Sequence, residues 1–114
     1  MSTTRLNPKS IYRIKTRKVP LAVGRPTFSG RFLVFANSRA ALVPSEGHQT
    51  TPDSAGRAVR HRREALLSLG ILVNDGEGHL VFTQDFAFQS CHDAAAIVMG
   101  LQAADGFREW KPLI

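Results

Sequence analysis

The chain has few of the features that mark secreted or membrane proteins. Its one cysteine, Cys91, cannot form an internal disulfide, so nothing in the sequence implies an oxidising compartment. No apolar run approaches the length that crosses a bilayer, and the N-terminus lacks the apolar core of a signal peptide. We therefore expect a cytoplasmic protein with no membrane partner.

Motifs for metal binding and catalysis are also scarce. The four histidines are scattered, and no Cys-x-x-Cys or His-x-x-x-His pair is present, so we expect no metal site. No glycine pattern for binding phosphates or dinucleotides is found. Cys91 begins a predicted helix, where the helix dipole lowers the pKa of a thiol, but no oxyanion segment or orienting acid accompanies it. The alternative is that Cys91 only fills the first helical position, and we expect neither an enzyme nor a cofactor.

Acidic residues are rare in the first half of the chain. Residues 1–63 hold 13 of the 15 Lys and Arg against two acids, a net charge of +11, whereas residues 64–114 carry −5. An asymmetry of this size indicates a polyanionic partner for the first half. The alternative is that the two halves fold together and partly neutralise each other. The isoelectric point of about 10.5 is nevertheless high for a domain with no anionic partner.

The composition, 43% hydrophobic and 21% charged, is typical of a single globular domain. Alternating residues predict a strand over residues 10–19, whose row of cations would also suit an edge strand. Residues 31–36 and 40–43 are predicted to form a hairpin, as are residues 71–73 and 79–82. Residues 106–110 also alternate, which predicts a final strand or extended segment.

Two helices are predicted. The first begins with Thr51 as N-cap and Pro52 and runs to residue 69, before Gly70. Its apolar face would hold Ala55, Val59, Leu66 and Leu69, and the opposite face Arg57, Arg60, His61 and Glu64. Arg63 would lie at the flank. Arg62 would lie near the apolar face, with its side chain packed against neighbours or paired with an acid.

The second helix is predicted between Ser90 as N-cap, with Asp93 as a capping-box partner, and Gly100. The alanines at 94–96 would let this helix lie close to a sheet. We therefore predict an α+β fold in which an antiparallel sheet of five or six short strands carries two helices, with residues 1–10 flexible and residues 11–114 forming the domain. The first helix followed by the 71–82 hairpin also resembles part of a winged helix, which is a minor alternative.

Several blocks of sequence carry a more specific signal. In order, they are residues 30–39 (Gly-Arg-Phe-Leu-Val-Phe-Ala-Asn-Ser-Arg), 62–72, 80–90 (Leu-Val-Phe-Thr-Gln-Asp-Phe-Ala-Phe-Gln-Ser), 94–100 and 106–111 (Gly-Phe-Arg-Glu-Trp-Lys). Together they resemble the domain of unknown function 4357 family of bacterial and phage proteins. The chain departs from the family pattern at residues 90–92, Ser-Cys-His instead of Ser-Pro-Ser, and at residues 105–107, Asp-Gly-Phe instead of Asn-Gly-Trp.

The resemblance implies a DNA-associated module, because members of this family resemble accessory domains of GIY-YIG nucleases and restriction-system proteins. The pattern is also similar to RAMA domains, proposed readers of modified adenine. It therefore implies a non-catalytic DNA-binding accessory module of a restriction-type or other DNA-processing system, with DNA and a nuclease or other defence-system protein as partners. The alternative is a protein–protein interaction module, a subunit or inhibitor of a defence complex, with no direct DNA contact.

Two sets of candidate site residues follow from these patterns. The C-terminal aromatic block could form a hydrophobic core or, beside a helix N-terminus, stack a base while the helix amides meet phosphate. Basic side chains would supply phosphate contacts. The candidate nucleic-acid contacts are Arg13, Lys15, Arg17, Lys18, Arg31, Arg39, Arg57, Arg60 and Arg63, and the candidate ligand pocket consists of Ser90, His92, Phe107 and Trp110.

Overall fold

The computed structural model describes residues 6–17, 19–42, 54–100 and 104–113, and of residues 54–58 it describes the backbone alone. Antiparallel sheets and helices confirm the α+β class. The elements in chain order are β1 (Tyr12–Ile14), β2 (Ala22–Pro26), β3 (Phe32–Val34), β4 (Arg39–Ala41), α1 (Ser54–Ser68), β5 (Leu72–Asn74), β6 (His79–Phe82), β7 (Phe86–Phe88), α2 (Cys91–Met99), α3 (Gly106–Glu109) and β8 (Lys111–Pro112).

The larger sheet has five antiparallel strands in the order β7-β3-β2-β1-β8. Its registers pair Tyr12 with Gly24 and with Pro112, and Gly24 with Val34. Side chains alternate between the two faces, and Tyr12, Ile14, Phe32 and Val34 are buried on one of them. β1 pairs with β2 on one side and with β8 on the other, so the expectation that it is an edge strand is wrong. A lysine and a proline, residues that discourage strand addition, instead occupy β8 at the edge.

The smaller sheet has the strand order β4-β6-β5. The β5–β6 pair confirms the predicted hairpin, in which Gly76 donates to Asn74 and Glu77 to Asp75 across the turn. The other predicted hairpin is wrong, since β3 and β4 belong to different sheets. Asn37 has a φ of 74° and donates to Phe82 of β6, and this turn directs the chain from one sheet to the other.

The helices pack where the two sheets meet. In α1, Val59 and Leu66 are buried as predicted, but Leu69 lies beyond the helix end and is 72% exposed. The predicted start of this helix at Thr51 and Pro52 lies outside the described residues. For α2 both predicted caps are confirmed: Ser90 Oγ accepts from the Asp93 amide at 3.1 Å, and Gly100 ends the helix with a φ of 72°. Residues 94–98 of α2 are all buried in the core.

Segments near both ends of the described chain form turns. Residues 106–109 form a helical turn rather than a strand, because the Asp105 carboxylate accepts from the Phe107 amide and caps the turn. Residues 6–10, expected to be flexible, form a turn in which Asn7 donates to the Tyr12 hydroxyl at 2.8 Å. Four strands precede α1, an order that does not fit a winged helix.

Candidate functional site

A groove of about 500 Å³ lies beside the start of α2. We call it the aromatic groove. Its walls come from four places: the N-terminal turn, the β2–β3 turn, the first residues of α2, and α3. The residues that line it include Phe28, Arg31, Phe32, Ser90, His92 and Phe107.

The structure brings three of the four predicted pocket residues together in this groove. Ser90, His92 and Phe107 line it, but Trp110 does not, because it is only 1% exposed and belongs to the core. The Trp110 ring lies behind Phe32, with the ring centroids 4.4 Å apart, and its indole N–H donates to the Cys91 carbonyl at 3.1 Å. Trp110 therefore supports the floor of the aromatic groove from behind.

A glycine permits the close approach of α3 to the start of α2. A Cβ added to Gly106 would lie 2.5 Å from the carbonyl oxygen of Cys91 and 2.6 Å from its sulfur. Real Cβ atoms do not approach other atoms this closely, so only glycine fits between α3 and the backbone of Cys91. The Gly-aromatic-x-x-Trp pattern thus has a packing explanation: Gly106 allows the contact and Trp110 bonds the same residue.

His92 is held in one orientation by the backbone of α3. Its Nδ1 accepts a hydrogen bond from the Gly106 amide at 2.8 Å, and its ring meets that of Phe107 edge-on with centroids 4.7 Å apart. Because Nδ1 accepts, the neutral ring carries its proton on Nε2. Asp105 Oδ1 lies 3.8 Å from Nδ1. The two places where the chain departs from the family pattern, residues 90–92 and 105–107, therefore contact each other in space.

The Cys91 thiol is a poor nucleophile in this setting. Burial raises the pKa of the Cys91 thiol from 9.0 to about 11, and the negative charge of Asp105 also raises it. The sequence-based argument that the helix dipole lowers this pKa is therefore outweighed. At neutral pH the group is a protonated thiol, and it serves as packing against α3.

We expect the thiolate absorbance of the folded protein at 240 nm to rise with a midpoint near pH 11. The stability that comes from keeping the thiol neutral is complete below pH 9.0 and is lost as the pH rises to about 11, because only the unfolded chain ionises readily in that window. Urea unfolding of wild type and Cys91→Ser between pH 8 and 11 checks this. Equal losses of stability in both proteins would contradict the shift.

The second candidate surface is the face of the five-stranded sheet turned away from the core. Cross-strand pairing places Arg13 beside Lys111 and Arg25 beside Leu33 on this face. In the described part of the chain, the helices pack against the other face or against the smaller sheet. We call this surface the open sheet face; its residues are Arg13, Val23, Arg25, Leu33, Ala87 and Lys111, none of which is acidic.

The predicted nucleic-acid contacts are distributed over several places. Arg13 lies on the open sheet face, Lys15 and Arg17 are exposed where β1 leads to β2, and Arg31 is exposed at the aromatic groove. Arg60 lies half-buried on α1. Lys18 and the side chain of Arg57 fall outside the described residues.

Arg63 does not lie on the surface, so its prediction as a phosphate contact is wrong. Its side chain is only 3% exposed, and its guanidinium donates to the carbonyls of Ile97, at 2.5 Å, and Ala41. Positions 59, 63 and 66 are one turn apart on a helix, so Arg63 falls between two buried residues. It joins α1 to α2 and to β4.

Two other arginines are engaged with acids. Arg62 pairs with Asp93 at 3.2 Å, as expected of an arginine near the apolar face, and this contact joins α1 to α2. The Nε of Arg39, a predicted nucleic-acid contact, lies 3.6 Å from the Asp75 carboxylate. Hydrogen bonds from the amides of Glu77 and His79 lower the pKa of Asp75, and the charges of His79 and Arg39 add to this effect. Arg39 is therefore partly neutralised.

Sequence reasoning missed the aromatic residue that is most exposed in the groove. Phe28 is 79% exposed and lies in the turn between β2 and β3. This turn falls in a segment that contains Gly24, Pro26 and Gly30. The sequence predicts no strand in this segment, although β2 lies there. An aromatic residue in a turn bounded by Pro26 and Gly30 is the signal that could have identified it.

Within the described ranges, no three His, Cys, Asp or Glu side chains come together in a way that could hold a metal ion. Of the helices in those ranges, none combines the length and the apolarity that crossing a bilayer requires. No curated protein and no solved structure matches the chain. Residues 12–113 match a family model, and the chain therefore belongs to the family described as Domain of unknown function (DUF4357).

Proposed function

We propose that this domain is a non-catalytic, cytoplasmic DNA-binding module that serves a bacterial or phage DNA-processing or restriction-type system. The observation that carries the proposal is the open sheet face, where Arg13, Arg25 and Lys111 share one surface without an acid among its six residues. A surface of this kind suits a phosphate backbone, which is recognised chiefly by Lys and Arg.

The aromatic groove adds to the proposal because it lies at the β2–β3 end of the same sheet, on the side opposite the open sheet face. Arg25 belongs to the open sheet face, and the next residue, Pro26, points to the other side and lines the groove. A strand bound by its phosphates along the open sheet face would reach the exposed aromatic side chains of the groove by passing around the β2–β3 turn. Single-stranded nucleic acids are commonly bound by this combination of basic surface and stacking side chains.

A duplex titration at two salt concentrations tests the proposal. Removing two exposed charges of the open sheet face, by Arg25→Gln with Lys111→Gln, is expected to lower the dependence of log K on log salt by about 2. The matched control removes two exposed charges outside the sheet, by Lys9→Gln with Arg108→Gln, and should leave that slope unchanged. Fluorescence anisotropy with a labelled duplex measures both variants.

Absence of binding at low salt would overturn the proposal, and an equal loss in the control would show that the open sheet face is not the contact surface. The same titration with an adenine-methylated duplex tests for a reader of DNA modification. A preference for methylated DNA would identify one, and equal affinity would make the module a general DNA binder.

The second candidate function is a protein–protein interaction module. Three apolar side chains at the margins of the five-stranded sheet are each about 40% exposed: Ile11, Leu21 and Leu113. Together they expose more apolar surface than phosphate contacts require. An interface with an apolar centre loses little affinity as salt increases, whereas DNA binding falls steeply. Salt dependence therefore separates the two functions.

A further inference from the structure

The aromatic groove presents an aromatic side chain that the core does not use. Phe28 is 79% exposed, and a cross-linked turn holds it in place: the Thr27 amide donates to the Arg31 carbonyl at 2.8 Å, and the Arg31 amide donates to Thr27 Oγ1 at 3.1 Å. Gly30, with a φ of 89°, completes this turn. The backbone that carries the ring is therefore ordered before any ligand arrives, which lowers the entropy cost of binding.

Two further phenylalanines belong to the lining of the groove. Phe32 forms part of the floor, and its position is fixed by the Trp110 ring behind it. Phe107 is half-buried and is fixed by its edge-on contact with His92. Phe32 itself is fully buried beneath the groove, so a flat apolar ligand would meet aromatic side chains from the β2–β3 turn and from α3.

The free polar groups of the groove side chains are hydrogen-bond donors. In the described part of the chain the Arg31 guanidinium has no hydrogen-bond or ion-pair partner, and the neutral His92 ring carries its proton on Nε2. The Ser90 oxygen already accepts from Asp93, which leaves its hydroxyl hydrogen to donate. Among the described residues, no Asp or Glu lines the groove. The complementary ligand has flat apolar faces and acceptors at its edge.

We propose that the aromatic groove binds one unpaired base of a DNA strand, a base that presents carbonyl or ring-nitrogen acceptors. A paired base is excluded because both of its faces are covered by stacked neighbours in the duplex. Guanine, with acceptors at O6 and N7 that suit an arginine, fits the donors best. The groove volume of about 500 Å³ lies within the range of small-molecule sites.

This inference rests on the proposed DNA binding and specifies it further. The open sheet face would hold the strand by its phosphates, and the groove on the other side of the β2–β3 turn would take a base that is not paired. Base stacking on an aromatic side chain contributes about 1–3 kcal/mol, which corresponds to roughly a 5- to 140-fold difference in affinity.

Three labelled duplexes of the same sequence test it: one with a single bulged guanine, one with an abasic bulge, and one fully paired. We expect the guanine bulge to bind about tenfold more tightly than the other two. Phe28→Ala should remove that preference and leave the affinity for the paired duplex unchanged. The matched control is Leu69→Ala, a similarly exposed apolar side chain outside the groove, which should retain the preference.

The fluorescence of Trp110, the one tryptophan of the chain, gives a second readout. It should change on binding the guanine bulge but not the abasic bulge, since its ring lies behind the groove floor. Equal affinity for all three duplexes, with binding still sensitive to salt, would overturn the groove inference and leave the proposed function standing. A preference that survives Phe28→Ala would also overturn it. Failure of all three duplexes to bind at low salt would overturn the proposed function itself.

Discussion

Replacing Arg63 by alanine is expected to lower the free energy of unfolding by about 3 kcal/mol, because a buried acceptor left without its donor costs about 1–3 kcal/mol and the truncated side chain leaves a cavity. The guanidinium donates to the carbonyls of Ile97 and Ala41 in the interior. Truncation leaves both acceptors without this donor and opens a space between α1, α2 and β4. Because Ile97 lies near the C-terminal end of α2, the positive charge is also favoured by the helix dipole there.

Urea unfolding followed by circular dichroism measures this loss. Arg60→Ala, one turn earlier on α1 and half-buried, is the matched control and should change stability by about 0.5 kcal/mol or less. If both variants were equally stable, the interior position of Arg63 would be wrong. The stability measurement is also needed to interpret DNA-binding data. An Arg63 variant that fails to bind DNA would do so because it unfolds, and not because a phosphate contact is lost.

Replacing Gly106 by alanine is the second change with a large expected effect, a loss of about 3 kcal/mol, at the upper end of the range for overpacking a well-packed site. The added Cβ would meet the backbone of Cys91, so α3 must move away from the start of α2. That movement lengthens the hydrogen bonds that His92 and Trp110 form across this contact.

Thermal unfolding and tryptophan fluorescence together check the Gly106 prediction. A loss of this size corresponds to a fall in Tm of about 10 °C for a domain of this length, and the Trp110 emission should shift to the red as its ring gains access to water. Arg108→Ala, an exposed change in the same helical turn, should leave both quantities close to wild type. An alanine variant with wild-type Tm would show that α3 and Cys91 are not in contact.

The elements predicted correctly are those whose signals are local. Ser90 and Gly100 bound α2 through contacts within a few residues, and the Asp75-Gly76 turn closes the β5–β6 hairpin in the same way. The β3–β4 hairpin failed because its decisive contacts are distant. Ser38 bonds both the amide and the carbonyl of Val23, fifteen residues away, and no short pattern encodes that partner.

The candidate site was predictable to the same extent. Ser90, His92 and Phe107 were found because they flank a recognisable helix start and an aromatic motif. Arg63 was misplaced because a charged residue on a helix was assumed to face water, although its spacing from Val59 and Leu66 puts it among buried side chains. The open sheet face could not be derived, because the order of five strands depends on pairings between the two ends of the chain.

The pairing of β1 with β8 also determines how the domain can be joined to other proteins. Tyr12 lies opposite Pro112, so a polypeptide enters and leaves the fold at neighbouring points on one edge region of the sheet. A domain with adjacent ends can be inserted into a surface loop of a host protein without stretching that loop. Such a module can be added to an enzyme or removed from it during evolution while the architecture of the host stays intact.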